Sequence, residues 1–227
     1  MADLQPVYDK TSVPFALAPF PERLRAICNA AAALNLAALL TPDDAVAIEA
    51  SLQDGILGDT ISRGVRAYIR VDAFGMERAS PGVVEIWPPR SSSAIHEHNG
   101  NYAVIIPLFG ECTLLTFERV NGGHPTGEYA LRAPSNLVAV MTPNRFQIHQ
   151  IHNRTDRACV TLQIYANEDG TLPPHERFLF RDLNGDIQRF ENPESDFVWG
   201  SLRLQLRREH RQREQVRHST SVGKTLL

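Results

Sequence analysis

The sequence predicts a mainly β chain, an antiparallel barrel or sandwich carrying helices at both ends, and three observations predict it. From Val65 onward, short runs rich in β-branched and aromatic residues recur: Val83 to Trp87, Tyr102 to Leu108, Thr113 to Phe117, Leu137 to Met141 and Ala158 to Tyr165. Gly, Pro and Asn break them at even intervals, as in Asn121-Gly122-Gly123 and Thr142-Pro143-Asn144, which is the punctuation of short antiparallel strands. Ahead of them, apolar and alanine residues recur at helical spacing from Pro21 to Leu40. Thr41-Pro42-Asp43-Asp44 then opens a second helix running to about Leu52. After Asn192 the chain turns polar, and Leu202 to Arg217 interleaves arginines with glutamates, the pattern of a solvated helix that frays at its end. With 227 residues this suits one domain: 1–60 as a helical part, 61–190 as the barrel and 191–227 as a polar helical tail.

Composition excludes several function classes. Lys plus Arg is 23 and Asp plus Glu is 26, a formal charge of −3, so the chain lacks the basic balance of a nucleic-acid coat. Three cysteines, Cys28, Cys112 and Cys159, are an odd number without C-x-x-C spacing, which indicates neither a disulfide framework nor a zinc ribbon. Cys112 and Cys159 sit in apolar runs and read as small core residues. Met1 to Pro6 shows no basic region followed by an apolar one, and no run of about 18 apolar residues occurs, so the expectation is a cytoplasmic protein without a membrane partner. Monomer and homodimer both stay open.

The chemistry is expected at His96-Glu97-His98. On a strand, side chains two apart share a face, so both imidazoles reach one cavity while Glu97 faces away. Phe146 to Asn153 contains His149 and His152 and brings a third imidazole from a second strand. Three neutral nitrogens with other coordination positions open suit iron, copper, nickel or zinc in a catalytic role.

Pro89 to Gly110 resembles the first motif of the cupins, with its H-x-H pair and its glycine at Gly110; Ala103 stands where that motif usually has a glutamate ligand. His149 and Asn153 resemble the second motif, which selects His149 over His152 as the third ligand. The resemblance implies a cupin, jelly-roll-like β-barrel. A cupin with three histidines and no glutamate is similar to the thiol dioxygenases, the group of cysteine, 3-mercaptopropionate and mercaptosuccinate dioxygenases. Tyr68-Ile69-Arg70 matches that group's Tyr-x-Arg segment at the same separation from His96, and Thr161 to Tyr165 resembles its small-x-His-x-Tyr motif. The resemblance covers about Val65 to Asn167. It implies Fe(II) on His96, His98 and His149, Arg70 and Tyr68 binding the substrate carboxylate, and Tyr165 as a catalytic hydroxyl. The implied partners are a small thiol carboxylate and dioxygen. Three positions depart from the pattern: Ala103 replaces the cysteine that crosslinks to the tyrosine, Gln163 replaces the histidine that hydrogen-bonds it, and Ala166-Asn167 replaces a Ser-Pro pair. Two other classes remain in view, a metal cupin enzyme acting on a carbon substrate and a binding module without turnover.

Overall fold

A computed structural model describes residues 5–6, 39–64, 66–73, 82–97, 102–118, 124–133, 137–142, 147–166, 177–181, 187–191 and 194–224. The helix expected over Pro21 to Leu40, the turn at 121–123 and His98 lie outside the described residues, apart from Leu39 and Leu40.

The helical part begins where the sequence places a cap. Thr41 accepts a hydrogen bond from the Asp44 backbone, and the Asp44 carboxylate accepts one from the Thr41 backbone, a reciprocal cap for α1 (Pro42–Asp54) with Pro42 in its first turn. Gly55 separates it from α2 (Ile56–Arg63). The strands follow: β1 (Gln5–Pro6) near the N-terminus, then β2 (Ile69–Asp72), β3 (Gly82–Trp87), β4 (His96–Glu97), β5 (Tyr102–Phe109), β6 (Glu111–Phe117), β7 (Pro125–Arg132), β8 (Leu137–Met141), β9 (Ile148–His152), β10 (Cys159–Ala166), β11 (Arg177–Arg181), β12 (Ile187–Glu191) and β13 (Phe197–Val198). The helix α3 (Trp199–Lys224) closes the chain.

Pairing among β3 to β10 is nested. β6 pairs with β7, β5 with β8, β4 with β9 and β3 with β10, all antiparallel. Such nesting is a two-stranded ribbon folded back at the β6–β7 connection. Lateral pairing of β10 with β5 and of β9 with β6 winds the ribbon into two sheets, ordered β1-β8-β5-β10-β3-β2-β13 and β12-β11-β4-β9-β6-β7. A ribbon wound in this way is a jelly-roll barrel, a mainly β architecture with helices before and after the strands.

Alternation along the strands sorts the core in two. One cluster, with Ile69, Val71, Val84, Ile86, Val104, Ile106, Leu162 and Ile164, faces the helices and meets Ala47, Ile48, Leu57, Leu202 and Leu206. The other lies between the sheets and holds Trp87, Ala103, Ile105, Cys112, Leu114, Leu131, Met141, Ile151, Cys159 and Tyr165. The polar tail is helical, and its first half is packed rather than solvated: Trp199, Leu202 and Leu206 are buried, and Trp199 Nε1 donates to the Leu39 carbonyl. The apolar positions 199, 202 and 206 recur at helical spacing, a stripe that the surrounding arginines disguise. No described helix is long and apolar enough to cross a membrane.

Candidate functional site

His149 is placed by β9. His149, Ile151 and Asn153 share the inward face and are fully or almost fully buried, while Gln150 and His152 point the other way. Asn153 anchors this strand at its end. Its Nδ2 donates to the carbonyls of Trp87 (3.0 Å), Pro88 (2.9 Å) and Arg157 (2.7 Å), and its Oδ1 accepts from the Thr155 backbone (3.0 Å). His152 faces away from the interior, and burial together with the charges of Arg154 and Arg90 lowers its pKa.

The segment before β4 is clamped to β9. Ser93 N donates to the Ile151 carbonyl (2.9 Å), Ile151 N donates to Ser93 Oγ (3.1 Å), Asn153 N donates to the Ser91 carbonyl (2.8 Å) and Gln150 Nε2 donates to the Ser93 carbonyl (2.8 Å). This clamp fixes the register that puts His96 opposite His149. The two rings meet edge to face with centroids 4.3 Å apart. His96 Nδ1 lies 3.0 Å from the Ala94 carbonyl, which can only accept, so Nδ1 carries a proton and in the neutral ring the lone pair lies on Nε2. That tautomer is the one a metal-binding imidazole adopts when a backbone carbonyl orients it. Glu97, next along β4, is buried on the opposite face. Thr116 stands beside His149 on β6 and continues the same inward row. Among the described residues no group of three His, Cys, Asp or Glu side chains is arranged to hold a metal; His96 and His149 supply two imidazoles, and His98 lies outside those residues.

The facing sheet carries a ladder of buried polar side chains. Arg70 on β2 pairs with Glu85 on β3, Nη1 donating to Oε1 at 3.0 Å, and both are almost wholly enclosed. Gln163 Nε2 on β10 donates to the other Glu85 oxygen, and the Tyr165 hydroxyl donates to Gln163 Oε1. The Arg70 guanidinium carbon lies 5.8 Å from the centre of the Tyr165 ring, and its positive charge also acts on the Tyr68 phenol. Tyr68 stacks on Trp87 with centroids 4.5 Å apart, and Trp87 Nε1 donates to Thr161 Oγ1 at 3.0 Å. Burial, reinforced by the Glu85 charge, pushes the Tyr68 phenol up to about 12. Cys112 and Cys159 lie in the same interior, and the neighbouring Cys112 thiol, together with burial, raises the Cys159 pKa well above its usual value.

Tyr165 and the histidines lie toward the same end of the barrel. Tyr165 pairs with Ala103, and Ala103 with Met141. The chain passes from β4 to β5 and from β8 to β9 at that end, which joins Ala103 and Met141 to the strands bearing His96 and His149. Arg70 and Glu85 sit deeper along β2 and β3, level with Thr161.

Sequence reasoning did not identify Glu85. Its signal is a charged residue inside the otherwise apolar run Val83-Val84-Glu85-Ile86-Trp87, on the same face as Trp87. Gln163 accepts the hydrogen bond that the Tyr165 hydroxyl donates.

No family model matches the chain, and no curated protein matches it. Solved structures similar to it include a sugar phosphate isomerase from a cupin superfamily from Silicibacter pomeroyi, at 21% identity over 54% of this chain and 74% of that one, TM-score 0.36. Another is an oxalate oxidase in complex with the substrate analogue glycolate, at 12% identity over 52% and 57%, TM-score 0.38. A third is Drosophila melanogaster CENP-C bound to CAL1, at 16% identity over 38% and 65%, TM-score 0.32. This chain spans less than two thirds of the oxalate oxidase and CENP-C chains. Likeness at this level assigns no activity to the chain.

Proposed function

We propose that the chain is a non-haem iron enzyme that joins dioxygen to the sulfur of a small carboxylate-bearing thiol, RSH + O2 giving RSO2H. The observation that carries this reading is the His96–His149 pair on one inward face, with Ala103 in place of a carboxylate ligand and Arg70 and Tyr165 on the facing sheet. His96 and His149, with His98 two positions from His96, would hold the ion. An all-imidazole donor set leaves the charge of a divalent cation uncompensated, which favours an anionic thiolate as an added ligand. When bound, ferrous iron supplies the redox chemistry between dioxygen and sulfur.

The protein's own groups orient the rest of the molecule. Arg70 and Tyr68 present guanidinium and phenol donors side by side for a carboxylate, and Trp87 fixes the Tyr68 ring by stacking. The apolar interior around Ile105, Leu114, Met141 and Ile151 excludes water, so each polar contact inside is stronger than it would be in bulk solvent.

Glu85 favours a second reading. It already compensates much of the Arg70 charge, a setting suited to a less anionic substrate, such as the carbon substrate of another metal cupin oxygenase or isomerase.

Anaerobic loading with ferrous iron, followed by a panel of small thiol acids with oxygen uptake and sulfinate detection, separates the two. The expected outcome is sulfinate formed in step with oxygen consumed on at least one thiol, and His149→Ala protein that no longer retains iron. Iron-loaded protein that turns over none of the thiols overturns the proposal.

A further inference from the structure

The ladder Arg70–Glu85–Gln163–Tyr165 has a direction that Glu85 imposes. As the anionic partner of Arg70, Glu85 has no proton to give and can only accept. The Gln163 group that faces it must therefore be the NH2 end. That choice turns the Gln163 carbonyl toward Tyr165, and a carbonyl can only accept. The single phenolic proton of Tyr165 is thereby committed to Gln163. An amide's orientation is ordinarily assigned from its surroundings, and here an ion pair on one side decides it.

We propose that Glu85 is a positioning residue that sets the hydrogen-bond polarity of Tyr165, making the phenol oxygen an acceptor toward any other group in the barrel. The resemblance to thiol dioxygenases implies a hydroxyl available for donation; the Glu85–Gln163 pair reverses that role. A ligand brought against Tyr165 must supply the proton itself, as an ammonium, hydroxyl or thiol does. This consequence rests on the site assigned under Proposed function, whereas the polarity does not.

The inversion is testable because an amide at position 85 reverses every step. In Glu85→Gln, the new carbonyl accepts from Arg70 and the new NH2 donates to the Gln163 carbonyl. Gln163 then turns its own NH2 toward Tyr165, and the phenolic proton is no longer committed to Gln163. The probe is the tyrosine Fermi doublet in the Raman spectrum, whose intensity ratio is low for a strongly donating phenol and high for an accepting one. Tyr165 is isolated by subtracting the spectrum of Tyr165→Phe. Neither iron nor turnover is needed, so failure here is distinct from failure of the thiol reading. The expected result is a low ratio in the unmodified protein and a high ratio in Glu85→Gln, with near-UV circular dichroism confirming that the variant is folded. A high ratio in the unmodified protein overturns the proposal whatever the variant does, and so does a folded Glu85→Gln that keeps the low ratio.

Discussion

Arg70 and Glu85 each occupy a place where a charge is costly alone, since both side chains are only 3–4% exposed. Removing one partner leaves the other uncompensated in a low-dielectric interior, an effect of about 3–5 kcal/mol, whereas replacing both with apolar groups of similar volume is close to neutral. Arg70→Met and Glu85→Leu are therefore each expected to lower the unfolding free energy by about that amount, and the double substitution by much less than their sum. Urea unfolding of the four proteins checks this, and additive losses would show that the two side chains do not act as a pair. The same residues mark what was legible. Arg70 could be singled out from its distance along the chain from His96, because a motif is a linear object. Glu85 could not be matched to Arg70 in that way, because their meeting depends on the β2–β3 register, Arg70 opposite Glu85, which no local pattern encodes. The preference for His149 over His152 comes from the resemblance of His149 and Asn153 to the second cupin motif; in β9, His149 and Ile151 face the interior and His152 does not.

Strands buried on both faces were the easiest to read. The runs giving β3, β5, β8 and β10 are largely apolar on both faces because each lends alternate residues to the cluster that meets the helices and to the cluster between the sheets. β7 escaped notice because among the described residues it is an edge strand paired with β6 alone, its residues are largely exposed, and its sequence Pro125-Thr126-Gly127-Glu128 has turn chemistry. The first half of α3 owes its docking to a feature that reads as surface in the sequence, Asp44 at the head of α1. Asp44 Oδ2 accepts from Arg203 Nε and Oδ1 from Arg207 Nε, each at 2.8 Å, so one carboxylate ties both helices together. Burial alone would raise its pKa, but the bonds from Arg203, Thr41 and Arg207 outweigh burial and hold it at about 2, against 3.8 for an ordinary aspartate. A pKa lowered in the folded state means stability that is present above the unfolded value and disappears as pH falls through the folded one. The window is thus from about pH 4 down to about pH 2. Asp44→Asn is expected to be less stable than the unmodified protein at neutral pH, with the gap closing across that window, as urea unfolding at a series of pH values would show. A gap that stays constant would mean that Asp44 ionisation is not linked to folding.

At the scale of the whole molecule, even spacing of short strands pointed to a closed antiparallel β structure but left the pairing open, since a sandwich and a wound ribbon share that texture. The winding depends on corners where the ribbon passes from one sheet to the other, and Gly110 is one of them. It is the single residue between β5 in one sheet and β6 in the other, its φ is +71°, and its carbonyl accepts from Ala133 N at 2.9 Å. A Cβ at this position would lie 2.4 Å from the Ala158 carbonyl oxygen and 3.2 Å from Cys159 Cα, so backbone of β10 and its approach fills the space a side chain would need. Gly110→Ala therefore carries two penalties: the left-handed conformation, about 1–2 kcal/mol for a residue with a Cβ, and displacement of the strand that bears Gln163 and Tyr165. Gly200 in the first turn of α3 has nothing within 4 Å of the corresponding position, so Gly200→Ala should be neutral or stabilising by up to about 1 kcal/mol. Denaturant unfolding of the two variants side by side separates a corner that the topology requires from a glycine that it merely tolerates. Equal and small effects would mean that β5 and β6 can cross between the sheets without the close approach to β10, and that the glycine of the first cupin-like motif is dispensable for winding the barrel.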